Sequence, residues 1–251
     1  MKAIITGASS GIGRDMARIL SDKGYDLVLV ARRKTRLEQL KKQLKTKVEI
    51  VDLDLSSTFN CLKLHNMYKN DSEVEILINN AGFGLFGNFI DISLDKELDM
   101  IDLNIKTVHT LTKLFLQTFE ENKNGYILNV SSVAAFSPGP KMATYYATKA
   151  YVLRLTEAIH EELKRTNSNV YIGALCPGPT TTEFNKVAKV KFDLKSQSSY
   201  DVAEYGIKKM FKRKMVIKPN IAVKMAAFFQ RFCPTSLLLK ISYNIQHKKE
   251  K

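Results

Sequence analysis

Two tyrosines stand side by side at 145 and 146, in ATYYATKAYV, and only Tyr145 has a lysine four residues on, Lys149. On a helix, positions i and i+4 share a face. Tyr145 and Lys149 can therefore point into one cleft, while Tyr146 is turned away by about 100° and is expected to pack. A free phenol has a pKa of about 10, roughly three units too high for easy proton exchange at neutral pH. A nearby ammonium favours phenolate and lowers that value, which makes Tyr145 a candidate general acid/base.

A second chemistry-bearing stretch is TGASSGIG, Thr6 to Gly13, between the apolar run KAIITG and a segment of helical spacing. Gly7 can take a positive φ in a tight turn. Gly11 and Gly13 have no side chain to block a pyrophosphate or the helix–strand contact. The helix N-terminus adds free N–H groups and a positive dipole end, both favourable to phosphate. A purely structural turn is the alternative, and the strand–turn–helix setting argues against it. The next strand ends LVARRKTR. NAD-selective sites of this kind place a carboxylate there for the ribose 2′-hydroxyl, but here Ala31 is followed by Arg32 and Arg33. A guanidinium suits a 2′-phosphate, so the expected cofactor is NADP(H), unless the arginines are only a solvated helix start.

These residues need elements to hold them. KAIITG, DLVLVAR, KVEIVDLDLS, VEILINNAG, GYILNVSS and NVYIGALCPGP read as six buried strands. RDMARILSDKG reads as a helix with Met16, Ile19 and Leu20 on one side, and KTRLEQLKKQL as another with Leu37, Leu40 and Leu44 in a stripe. A long helical stretch runs around Leu98 to Glu121, and a further helix contains Lys149 to Lys164. DVAEYGIKKMFKR reads as a helix and MVIK as a last strand. Continuous apolar strands alternating with helices imply an α/β fold, a doubly wound parallel sheet of about seven strands with helices on both faces. One domain is expected, with the main body at 1–220 and a basic, apolar extension at 221–251. In that extension NIAVKMAAFFQRFCPTSLLLKISYNI is broken by Pro234. It reads either as core or subunit-contact helix or as a membrane-surface element.

At 251 residues, 45% hydrophobic and 25% charged, the chain has the composition of an ordinary globular protein. Its net charge of +14 is concentrated late: residues 183–251 hold 16 Lys/Arg and 5 Asp/Glu, against 23 and 20 in residues 1–182. That excess fits anionic lipid, an anionic substrate, nucleic acid, or a lysine-rich composition with no partner. No nucleic-acid motif accompanies it, so no nucleic-acid partner is expected. Cys61, Cys176 and Cys233 form no CxxC or Cys/His cluster. No metal is expected, and reduced thiols in a cytoplasmic protein are the simplest reading. The N-terminus lacks the pattern of a signal peptide, and no run of eighteen apolar residues occurs. The four histidines show no paired spacing and read as surface or helix-packing residues; Asp99 and Asp102 read as solvated or helix-end residues.

Taken in order, TGASSGIG, NNAG (Asn79–Gly82), NIKT from Asn104, NVSS ending at Ser132, YYATK with Tyr145 and Lys149, and PGPTTT (Pro177–Thr182) resemble the short-chain dehydrogenase/reductase family over roughly residues 2–220. NNAGFGLFG and VARRKTRLEQL look like its bacterial, NADPH-preferring branch. The KRKMVIKPNI stretch departs from the glycines that many relatives carry near the last strand.

The resemblance implies a Rossmann-type fold and an enzyme acting on CH–OH donors, interconverting a carbonyl and a secondary alcohol. Asn104, Ser132, Tyr145 and Lys149 would be its catalytic set. Hydride would come from the nicotinamide and the proton from Tyr145. Ser132, at the family's usual distance before Tyr145, would orient the substrate oxygen, with Ser131 on the opposite side of the strand. Asn104 would hold a water linking Lys149 to solvent, and Lys149 would also bind the nicotinamide ribose. Carried over position by position, the cofactor site comprises Gly7, Ser9, Ser10, Gly11, Ile12, Gly13, Arg32, Arg33, Asp54, Leu55, Asn80, Ala81, Gly82, Tyr145, Lys149, Pro177, Gly178, Thr180 and Thr182. Asp54 would accept from the adenine amino group, with Asp52 as rival, and Thr182 would meet the carboxamide. A homodimer or homotetramer is implied, built through the helices holding Asn104 and Tyr145. Phe83, Phe86, Phe136, Pro138 and Met142, with the lysine-rich stretch after Thr182, suggest an apolar pocket for a small-molecule carbonyl substrate. Two other readings stay open: a membrane-surface 3-ketoacyl or ketosphingoid-type reductase, and a non-catalytic NADP-binding regulatory protein.

Overall fold

Successive strand residues face opposite sides of a sheet, and the apolar strands of this chain feed two cores at once. The computed structural model describes residues 1–184, 196–220, 224–225 and 228–247. Strands β1 (Lys2–Thr6), β2 (Asp26–Val30), β3 (Val48–Val51), β4 (Val74–Asn79), β5 (Gly125–Val130), β6 (Val170–Leu175) and β9 (Val216–Ile217) form one sheet in the order β3-β2-β1-β4-β5-β6-β9. Every pairing in it is parallel. Ile4, for example, lies opposite Val28 on one side and Leu77 on the other. β7 (Thr180–Thr181) and β8 (Gln197–Ser198) make a separate parallel pair.

Ala3, Ile5, Leu27 and Leu29 pack with α1 (Gly11–Asp22), α2 (Lys34–Lys41) and α7 (Ser199–Met210) on one face. Ile4, Val28 and Val30 pack on the other with α3 (Thr58–Tyr68), α5 (Thr107–Glu121) and Leu163 of α6 (Ala143–Arg165). This is the single α/β, doubly wound parallel sheet that the alternating pattern implies, with MVIK supplying the seventh strand. The chain reverses direction across the sheet between β1 and β4, so the C-terminal ends of these strands open a crevice where ligands of such folds bind.

Two local features depart from the pattern. α3 was not expected between the third and fourth strands; it is anchored by Cys61, Leu64 and Tyr68. The long helical stretch is two helices, α4 (Leu94–Ile101) and α5, joined through a π-helical turn at Asp102–Lys106. In the tail, Pro234 stands immediately before α8 (Thr235–His247), a position that does not need its missing N–H. Much of the lysine-rich stretch after Thr182 and part of the tail, including 221–223, lie outside the described residues.

Candidate active site

The glycine turn is built by close approach. Gly7 and Gly11 have φ of +65° and +54°, which side chains disfavour. A Cβ on Gly7 would lie 2.8 Å from Ala81 Cα, and one on Gly13 would lie 2.6 Å from the Gly7 carbonyl oxygen. Gly13 is therefore required for the close packing of the helix start against the turn and β4. Asn80 ties the turn to β4, donating from Nδ2 to the carbonyls of Thr6 (3.0 Å) and Gly7 (3.2 Å). Thr6 completes the knot: its hydroxyl donates to the Ile78 carbonyl and accepts from the backbone N–H groups of Asn80 and Ala81. Ser10 provides no side-chain cap to α1, so the dipole end and first-turn donors of the helix suit a phosphate.

At the end of β2, Arg32 Nη1 lies 3.4 Å from Asp54 Oδ2. Burial pushes the Asp54 carboxyl up, but hydrogen bonds from Ser56 and the charge of Arg32 outweigh it and hold the group below its ordinary value. Asp54 and Leu55 line the cleft, whereas Asp52 is not among its lining residues. Arg33 folds back on the glycine turn, donating from Nε and Nη2 to Ser9 Oγ (3.2 and 2.9 Å) and from Nη2 to Ser10 Oγ (2.9 Å). This gathers at one corner the two arginines and the turn hydroxyls, a donor set matched to a phosphate monoester.

On the far side, β5 delivers the serines and α6 the tyrosine. Ser131 Oγ donates to the Lys149 carbonyl (2.8 Å) and so fixes the helix. Ser132 points the other way, into the cleft that Tyr145 also lines, and its hydroxyl accepts from the Ala134 N–H (3.1 Å). Lys149 Nζ donates to the Val130 carbonyl (3.0 Å) and lies 5.9 Å from the Tyr145 ring centroid. Tyr145 and Lys149 are both buried. Burial pushes the Tyr145 phenol above its ordinary value, with the neighbouring Ser132 hydroxyl opposing it. Burial also pulls the Lys149 ammonium down to about 8. The expected lowering of the phenol by Lys149 is therefore not found: desolvation dominates and favours the neutral phenol.

Asn104 sits in the π-helical turn, fully buried. Its Oδ1 accepts from the Phe83 N–H (3.1 Å), and its Nδ2 donates to the Phe83 carbonyl (2.9 Å) and Thr148 Oγ1 (3.1 Å). A Cβ on Gly82 would come 2.8 Å from that Oδ1, so the NNAG glycine makes room for Asn104. The first asparagine of the same motif, Asn79, joins Thr112 and Asn129, and Asn129 reaches Thr156, knitting β4 and β5 to α5 and α6.

Glycine turn, arginine corner and tyrosine wall line one cleft of about 1240 Å³. A pocket for a single small ligand has roughly 300–1,000 Å³, so this cleft has room for a dinucleotide and a substrate. The site residues expected from the sequence line it, except Gly13, which packs beneath the turn, and Asn104, which lies behind Phe83. Of the expected apolar wall, Phe83 and Met142 line the cleft. Phe86 and Pro138 are not among its lining residues, and Phe136 instead meets Lys218 Nζ 4.5 Å from its ring centre. The wall is completed by Phe184, whose ring lies 5.2 Å from that of Tyr145, and by Leu238, Ile241 and Ile245 of α8. Tyr146 does more than pack: it lines the cleft, and its hydroxyl accepts from Gln246 Nε2 of α8 at 2.6 Å. Thr6, Phe184, Glu183 and Gln246 carried no local signal; their partners are remote in sequence.

With the geometry in place, the class of protein is defined by comparison. The family model for short chain dehydrogenase matches residues 1–193, and the chain belongs to that family of nicotinamide-dependent oxidoreductases acting on small molecules. It is 34% identical over 216 residues to an uncharacterized oxidoreductase of Staphylococcus epidermidis, covering 82% of this chain and 90% of that one. It is 30% identical over 212 residues to the very-long-chain 3-oxoacyl-CoA reductase of Anas platyrhynchos, covering 81% and 67%. A short-chain dehydrogenase from Sphingobium yanoikuyae, solved in complex with NADPH, superposes with a TM-score of 0.83 at 31% identity, covering 90% of this chain and 91% of that one.

Proposed function

We propose that this oxidoreductase is NADP(H)-dependent and interconverts an apolar ketone and its secondary alcohol, with Tyr145 as the proton donor and acceptor. The observation that carries this reading is the buried Tyr145, lining the cleft together with Ser132 and with the Lys149 ammonium 5.9 Å from its ring centroid, at the apolar end of a cleft whose other end gathers Arg32, Arg33, Ser9 and Ser10. When bound, the nicotinamide supplies or receives the hydride, which no side chain can do.

Ser132 Oγ is the donor that orients the substrate oxygen toward Tyr145 Oη. The neutral phenol that burial enforces holds a proton ready for the developing alkoxide. Lys149, held by Val130 and Ser131, opposes negative charge left on the phenolate. Both amide protons of Asn104 are used, so a water relay at this residue must use the second lone pair of Oδ1 or the main-chain carbonyl. In this reading Asp54 meets the adenine amino group, Ile12 N–H the pyrophosphate, Thr182 the carboxamide and Arg32 and Arg33 the 2′-phosphate. The same reading includes a cytoplasmic homo-oligomer, with residues 1–220 as the catalytic body and 221–251 as its extension.

A second reading concerns where the substrate comes from. α8 lines the cleft with one face and leaves Leu237, Leu239 and Tyr243 exposed, and Phe228, Phe229 and Phe232 are exposed beside it. With the basic excess of this region and a relative named for very-long-chain 3-oxoacyl-CoA, these residues favour a lipid-like ketone taken from a membrane surface. No helix among the described residues is long and apolar enough to cross a membrane.

Fluorescence titration with NADPH and NADH tests the coenzyme assignment. Wild type is expected to prefer NADPH by about tenfold or more, and Arg32→Ala or Arg33→Ala to remove most of that preference, because a charge-assisted hydrogen bond contributes about 1.5–3 kcal/mol. Equal affinities untouched by either substitution would refute it.

A further inference from the structure

Glu183 follows Thr182, 150 positions beyond Arg33 in the chain, yet its carboxylate closes on the arginine corner. Oε2 accepts from Arg33 Nη1 at 2.7 Å and Oε1 from Arg36 Nη1 at 2.5 Å. The two guanidinium groups pull its carboxyl down to about 2, so it is ionised at every working pH. Arg33 is meanwhile bound through Nε and Nη2 to the hydroxyls of Ser9 and Ser10. Its fork is thus divided: one edge faces the coenzyme turn and the other nitrogen faces a carboxylate.

The geometry points to Glu183 as a specificity-determining residue, an internal anion that competes with the 2′-phosphate of NADP(H) for Arg33. This rests on the reading of Arg33 as part of the phosphate site. A 2′-phosphate brings close to two negative charges, and a carboxylate on the same guanidinium repels it and lowers the charge it meets. NADPH must displace Glu183 or bind against it, whereas NADH, lacking the phosphate, leaves the Arg33–Glu183–Arg36 clasp intact. The apparent affinity for NADPH is therefore reduced by the cost of opening the clasp, and selectivity for NADPH is set below what two arginines alone would give. The clasp joins the segment after β2 to the segment after β7, and Thr182 beside it rests against Gly11, where a Cβ would lie 3.0 Å from Thr182 Cγ2. Coenzyme phosphate and the start of the segment after β7 are thereby linked through one side chain.

The test is a titration of the full-length protein with NADPH and with NADH, for wild type, Glu183→Gln and Arg33→Ala, with thermal melts to confirm that each is folded. The glutamine keeps the shape and removes the charge at a partly exposed position. Two exposed ion pairs of ordinary strength correspond to a tightening of NADPH by about threefold to tenfold in Glu183→Gln, with NADH within about twofold of wild type. Raising the salt concentration should shrink the gain. Wild type that prefers NADPH and loses the preference in Arg33→Ala, but whose NADPH affinity is unchanged or weaker in Glu183→Gln, overturns the competition and leaves the phosphate site standing. Wild type that binds both coenzymes alike, unaffected by Arg33→Ala, sinks the phosphate-site reading and the competition with it.

Discussion

Replacing Gly13 by alanine sets helix propensity against packing and lets the structure decide the sign. Gly13 lies in the first turn of α1, where alanine would be favoured by about 1 kcal/mol on propensity alone. The added Cβ, however, would sit 2.6 Å from the Gly7 carbonyl oxygen and nearer still to Asn80 Nδ2. Overpacking of this kind costs about 1–3 kcal/mol. Moving Asn80 away also loses its hydrogen bonds to the Thr6 and Gly7 carbonyls, at about 0.5–1.5 kcal/mol each. Offsetting the propensity gain leaves a net loss of about 3 kcal/mol. For a chain of this size that lowers Tm by roughly 6–12 °C. Because the Gly7 carbonyl belongs to the coenzyme turn, NADPH affinity should fall as well. Thermal melts and coenzyme fluorescence read both effects. Gly24→Ala is the control: its φ is +86° but nothing lies within 4 Å of its added Cβ, so it should cost only about 1–2 kcal/mol of backbone strain and leave coenzyme binding unchanged. A Gly13→Ala protein as stable as wild type, with normal NADPH affinity, would refute the packing role.

Tyr146→Phe removes the hydroxyl that receives Gln246 while keeping the ring. One lost hydrogen bond, about 0.5–1.5 kcal/mol, should loosen α8 over the pocket and raise KM for an apolar ketone by roughly twofold to tenfold with kcat little changed; a fall in kcat at constant KM would instead put Tyr146 in the chemistry. Lys149 gives a pH signature. Its folded value of about 8 lies below the ordinary 10.5, so between these values the unfolded chain binds more protons. Stability of wild type relative to Lys149→Met should therefore rise with pH from about 8 upward. Urea midpoints at pH 7.5 and 9.5 check the direction, and a relative loss at the higher pH would contradict the buried-ammonium account.

What the sequence made legible was local. The three glycines, the Tyr145/Lys149 spacing and the two arginines after β2 are each readable within a dozen residues, because turn geometry, helix period and charge act over that range. α3 was missed because TFNCLKLHNMY mixes aromatic and polar residues without a clean apolar stripe, and its place is set by burial of Cys61, Leu64 and Tyr68 against the sheet. The π-helical turn that presents Asn104 leaves no mark in composition. Asp15 of α1 is 2% exposed, held by Arg14, Arg18 and, from 184 positions away, Ser199 of α7. The roles of Glu183 and Gln246 depend on partners 150 and 100 positions away. Long-range pairing of this kind is fixed only when the sheet brings the segments together.

The most direct test of the central claim is proton delivery by Tyr145. Purified wild type and Tyr145→Phe would be given NADPH with an aryl alkyl ketone and, separately, a long-chain 3-oxoacyl thioester, and NADPH oxidation followed by absorbance, with coenzyme binding measured on the same samples. The account predicts that Tyr145→Phe binds NADPH within about threefold of wild type, since the affinity rests on contacts at the other end of the cleft, while reduction falls by about 10²–10⁴-fold, the usual contribution of a positioned general acid. A Tyr145→Phe protein that binds NADPH normally and still reduces the ketone within about tenfold of the wild-type rate would contradict it.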